Sequence, residues 1–128
     1  MATTVHAYTA SQALVDKPDK KLSRGRAAAV SLVPSSTGSD IATVLVLPEL
    51  KDRLRALAIR APILDGAITD IVADLKKSTT AEQVNAAFKA ASNGLLKDIL
   101  AYTEDDLVSA DIIGDTHSSI VHALSTPW

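Results

Sequence analysis

Four short stretches of the chain carry side chains suited to chemistry. The segment TTVHAYT, residues 3–9, sets His6 among hydroxyls, with Thr9 three residues on. An imidazole titrates near neutrality, so His6 is a candidate general base; a half-exposed strand histidine is the plainer reading. SSTG at 35–38 puts hydroxyls and free backbone N–H groups just ahead of an apolar helical run, at the positive end of its dipole. That is a ready anion site, though an ordinary helix N-cap is the plainer reading. Arg60 lies between Ile59 and Ala61 in an apolar run. A guanidinium there either snorkels to water or meets an anion in a fork geometry. THSS at 116–119 supplies His117, and His122 follows five residues later. That spacing does not set both rings on one face of a helix or strand, which argues against a metal pair.

The elements that must position these groups fit one ordinary domain of 128 residues. Apolar residues make up 47% and aromatic residues 3%, so a core has to be built from Ala, Val, Ile and Leu. The net charge of −2 argues against a nucleic-acid or membrane-surface binder, which needs a basic excess. No apolar run approaches the roughly 20 residues of a membrane span, and no signal peptide is visible. The chain has no cysteine, so disulfides, zinc thiolates and cysteine nucleophiles are excluded within it. A cytoplasmic location is the expectation.

Residues 2–8 alternate as a short strand, and 10–26 read as a long surface loop that mixes a Pro and a Gly with Lys, Arg and Asp. Residues 27–34 read as a buried strand or extended segment. The run from 35 to 50 reads as a helix with Asp40 in its first turn and Pro48 ending it near 46 or 47. Runs at 53–63 and 67–77 read as strands joined into a hairpin by Leu64-Asp65-Gly66. Residues 80–94 carry the best helix signal: a Thr80–Gln83 capping box, a stripe of Val84, Ala87, Phe88 and Ala91, and a left-handed stop at Asn93-Gly94. A last strand is predicted over 118–124. This order predicts an α+β fold with a mixed, largely antiparallel sheet and helices packed on one face. There is no strict βαβα alternation and no GxGxxG, so the chain carries no dinucleotide fingerprint.

TTVHAYT, RGRAAA, PSSTG, LPEL, IRAP, ITD, VNAAFKAAS and LKDILAYTEDDLVSADIIGDTHSS occur here in one order. Together they resemble the catalytic domain of phosphorylating glyceraldehyde-3-phosphate dehydrogenase, from Thr3 to about Thr126. The resemblance implies a single domain over 1–128. It implies that His6 is the acid–base partner of a catalytic cysteine. It implies that Thr9 and Arg60 contact the substrate phosphate, and that Ser36, Thr37 and Gly38 bind the attacking inorganic phosphate. The loop at 10–33 would line the cofactor site of a neighbouring subunit, and the domains would meet through their sheets, which makes a homo-oligomer the expected state.

The chain also departs from that family. The nucleophilic cysteine, the NAD-binding domain and the C-terminal helix have no counterpart in it. Ser11 stands where many relatives have Asp, and Ile41 where a Lys is common. The Met1-Ala2 start and the Ser125-Thr126-Pro127-Trp128 end read as a trimmed catalytic domain. The expectation is therefore a folded, self-associating unit, inactive alone, with no cofactor in this chain although NAD or NADP serves the family. Two alternatives stand: one half of a split NAD(P)-dependent dehydrogenase, and a phosphate or sugar-phosphate binding module. No nucleic acid and no membrane are expected as partners.

Overall fold

A computed structural model describes residues 1–126; Pro127 and Trp128, part of the end read above as trimmed, lie outside the described residues. The chain divides into two compact units, Met1–Ala73 and Asp74–Trp128.

The first unit is built around β1 (Ala2–Ala7), whose Thr3, Thr4 and Val5 favour extended backbone. Three more strands join it: β2 (Val33–Ser35), β3 (Ala56–Ala61) and β4 (Ala67–Ile71), in the spatial order β2-β3-β1-β4. β1 runs parallel to β3 and antiparallel to β4, and β2 runs antiparallel to β3. The sheet is therefore mixed and largely antiparallel, as the pattern predicts.

The predicted hairpin at 64–66 is not one. β1 lies between β3 and β4, so the connection passes across the end of β1. It is tied there: Gly66, at φ 82, accepts from the Ala7 N–H at 3.1 Å. The sequence pattern shows two adjacent extended runs and a turn, but not the strand from far upstream that inserts between them. The strand read over 67–77 also stops early. Its ladder with β1 closes at Met1–Val72, where the Val72 N–H meets the Met1 carbonyl at 2.9 Å.

Residues 27–34 are mostly not a strand. A 3-10 turn occupies Ala28–Val30, and β2 begins only at Val33. The preceding loop is ordered from within. The Asp16 carboxylate accepts from the Ala27 N–H at 2.7 Å and pairs with Arg26 at 3.2 Å. Gly25 is buried so tightly that a Cβ there would stand 2.3 Å from the Lys17 carbonyl oxygen.

After β2 comes α1 (Ser39–Val46), shorter than the 35–50 run but ending where Pro48 dictates. It lies over one sheet face, leaving a cavity of about 320 Å³ lined by Ala2, Thr4, Ile71, Ser39, Thr43 and Leu54. The buried core of this unit is Ala7, Ala13, Ala28, Val33, Ala58 and Ala61, with Gln12 the one buried polar side chain.

The second unit holds α2 (Ala81–Asn93) and two parallel strands, β5 (Leu100–Thr103) and β6 (Ser119–His122). The Thr80–Gln83 capping box forms in full. The helix stop differs from expectation: Gly94 sits at φ −120 and Asp98, not Gly94, takes a left-handed φ of 64. The apolar stripe on α2 exists, yet no residue of the helix is buried and Phe88 remains 42% exposed. A 3-10 turn, Ala123–Ser125, ends the strand that was read as reaching 124.

Candidate functional site

His6 and Arg60 are direct partners across β1 and β3. Paired strand residues point to the same face, so imidazole and guanidinium project on one side of the sheet, with Thr4, Ala58 and Thr69. The His6 Nδ1 lies 2.7 Å from the Ala7 carbonyl oxygen. A carbonyl only accepts, so Nδ1 carries the hydrogen and Nε2 presents its lone pair. Nε2 is thus the nitrogen that can take a proton. The Arg60 Nη1 donates to the same Ala7 oxygen at 3.3 Å. Its Nε is buried with no hydrogen-bond partner among the described residues. A guanidinium stays charged at any ordinary pH, so an orphaned N–H beside a histidine leaves donor capacity for an acceptor or anion.

Thr9 follows β1 and is held by Gln12, a residue the sequence reading passed over. The Gln12 Oε1 accepts from the Thr9 backbone N–H at 2.8 Å and from its hydroxyl at 3.1 Å. The Ser11 hydroxyl lies 3.0 Å from Thr9 Oγ1 and accepts from Gln12 Nε2 at 3.0 Å. The donors close into a ring: Thr9 to Gln12, Gln12 to Ser11, Ser11 to Thr9. The single Thr9 hydroxyl hydrogen is thus committed to Gln12. The signal in the sequence was the Thr-x-x-Gln spacing, the same local logic as a capping box.

Ser36, Thr37 and Gly38 lie beyond the end of β2, in the loop that leads to α1. Val33 of β2 pairs with Arg60, and the chain runs away from it to Ser35, opposite Ala58. Ser36 therefore starts about 10 Å along the strand from the position beside Arg60, at ~3.3 Å per residue. Gly38 is the residue before α1 and has open space around it. The helix end is partly filled by its own side chains. The Thr37 hydroxyl oxygen accepts from the Ser39 N–H at 3.1 Å, and the Asp40 carboxylate accepts from the Ile41 N–H at 2.9 Å. The structure thus joins His6 to Arg60, sets Thr9 in its own ring, and keeps 36–38 apart from both. Ile41 is exposed.

In the second unit the His117 backbone N–H, and after it the His117 ring at 2.8 Å, hold the Asp115 carboxyl below the ordinary aspartate range. Among the described residues no group of three or more His, Asp or Glu is placed to hold a metal. No helix among them is long and apolar enough to cross a membrane.

The profile of the glyceraldehyde 3-phosphate dehydrogenase C-terminal domain matches residues 1–127, and the chain is a member of that family. It is 53% identical over 126 residues to glyceraldehyde-3-phosphate dehydrogenase of Geobacillus stearothermophilus, covering 98% of this chain and 38% of the relative. The Mycobacterium avium enzyme of the same name is 52% identical over 120 residues, 94% of this chain and 35% of the relative. The chain thus spans less than two-fifths of the length of these curated relatives.

Proposed function

We propose that this chain is the substrate-recognition part of a phosphorylating glyceraldehyde-3-phosphate dehydrogenase-like oxidoreductase, inactive by itself and binding a phosphate or sugar phosphate. The observation that carries this reading is Arg60, with its buried, unpartnered Nε opposite His6. A phosphate oxygen would meet the guanidinium through its Nη atoms, and would supply the acceptor Nε lacks among the described residues once the side chain swings out of its burial. Thr9 joins only when its hydroxyl hydrogen leaves Gln12. Ser36, Thr37 and Gly38 form a second, weaker anion point, because α1 already caps part of its own N-terminus.

His6 Nε2 would take and return a proton during chemistry at a thiol. With no cysteine in the sequence, that thiol has to come from elsewhere. NAD or NADP, the family's cofactor, does not fit the residues present. The one strand-to-helix turn of the first unit, between β2 and α1, carries a single glycine rather than the glycine-rich turn that holds a pyrophosphate. No hydride step is therefore assigned to this chain.

The test pairs two measurements on one sample. Phosphate and glyceraldehyde 3-phosphate are titrated while the Arg60 Nε–H resonance and the backbone amides are followed by NMR, and NAD reduction is assayed alongside. Shifts centred on Arg60 with no NAD reduction are expected. An unmoved Arg60, or turnover by the purified chain, overturns the reading.

Self-association is the second part of the proposal. It is supported by a core of alanines and one valine beside exposed Ile41, Leu45, Val46 and Ile68.

A further inference from the structure

His122 and Ser125 play no part in the site above. β6 ends at His122, and the 3-10 turn that follows brings Ser125 back to the ring. His122 Nε2 lies 3.0 Å from the backbone carbonyl oxygen of Asp105, and Nδ1 lies 2.7 Å from Ser125 Oγ. The carbonyl can only accept, so Nε2 carries the hydrogen and Nδ1 the lone pair. The Ser125 hydroxyl must then be the donor. This is a serine hydroxyl held against a basic nitrogen, with the ring oriented by a third group, the arrangement that activates a nucleophile. Ser125 is exposed, so an acyl donor can reach it. The other two histidines make no such contact: His6 donates to a carbonyl and His117 pairs with a carboxylate.

We propose that Ser125 is a self-acylation site, with His122 as its base and activated carboxylic esters or thioesters as donors. Ser125 Oγ attacks the acyl carbon and forms a new C–O bond. The hydroxyl proton passes to His122 Nδ1. The bond to the leaving alkoxide or thiolate breaks, and that group takes the proton from the ring, leaving acyl-Ser125 and a neutral imidazole.

The probe is p-nitrophenyl acetate on the full chain, with the acetyl group located by peptide mass mapping. Ser125 is expected to acylate about a hundredfold faster than Ser118 or Ser119, the lower end of what a positioned base contributes. His122→Gln should lose that advantage and Ser125→Ala the label, with the far-UV circular dichroism unchanged. Equal rates at Ser125 and Ser119, an unaffected His122→Gln variant, or acetyl on the imidazole instead would overturn the proposal. Ser125→Cys supplies an independent reading, because it would be the only thiol in the chain. Its alkylation by iodoacetamide should be about tenfold faster with His122 than with Gln at 122; equal rates would refute the role of His122.

Discussion

His6 and Arg60 face each other across the parallel pair β1–β3 and donate to one oxygen, the carbonyl of Ala7. The shared acceptor fixes both groups at once. It sets the histidine tautomer, and it holds the guanidinium by one corner while Nε stays unpaired. A base and a permanent cation therefore stand side by side.

Arg60→Met keeps the apolar stem and removes the charge. Loss of a charge-assisted contact of about 1.5–3 kcal/mol weakens phosphate binding roughly ten- to hundredfold. The fold should stand, because the Nη1 bond to Ala7 is long at 3.3 Å and His6 still satisfies that oxygen. Isothermal titration with inorganic phosphate on both proteins checks this; unchanged affinity would assign the anion to residues 36–38 instead.

Gln12→Ala removes the acceptor of both Thr9 donors from a side chain only 7% exposed. Leaving a partly buried amide unsatisfied costs about 1–3 kcal/mol. Urea denaturation should show that loss, and phosphate affinity should hold or rise because the Thr9 hydroxyl is freed. A stability change without any movement of the Thr9 amide resonance would contradict this account of the ring.

Much of this was legible in the residues. The capping box at Thr80 and Gln83, the Pro48 stop and the extended run of β1 are local signals, and the structure contains all three. The motif order also identified the family. What failed was non-local. The turn at 64–66 looked like a hairpin because neither run announces that β1, some 60 residues upstream, sits between them. Gln12 was missed because it lies in the 10–26 stretch that reads as surface loop, and only packing reveals that this loop buries Gln12, Ala13 and Gly25. The His6–Arg60 pairing was likewise invisible, since register across a parallel pair depends on everything between the strands.

The same loop should respond to acid through Asp16. The Ala27 N–H bond, followed by Arg26, holds its carboxyl below the ordinary aspartate range of about 3.9. A depressed carboxyl contributes stability that is fully present above the unfolded-state value and is lost as pH falls through the folded one. The loop should therefore stay ordered at neutral pH and loosen only below about pH 4. The Ala27 and Lys17 amide shifts, followed by NMR from pH 7 downward, report it. Asp16→Asn should abolish that acid step, and a step that persists in the variant would place its origin elsewhere.

Association should be driven by apolar surface rather than by charge. Among the described residues the buried ones are six alanines, Val33, Gly25 and Gln12, whereas Leu45 is 80% and Ile41 69% exposed. Alanine burial withdraws little area per residue at ~25 cal/mol per Å², so most of the hydrophobic stabilisation open to this sequence is unspent in the monomer. The net charge of −2 offers little repulsion against contact. Sedimentation velocity over a concentration series should show a dimer or larger species growing with concentration. Sulfate should strengthen it, because an excluded salt favours apolar burial, whereas an assembly held by ion pairs would weaken with added salt. A single monomer boundary at every concentration would remove self-association from the proposal and leave the anion site at Arg60 as its whole content.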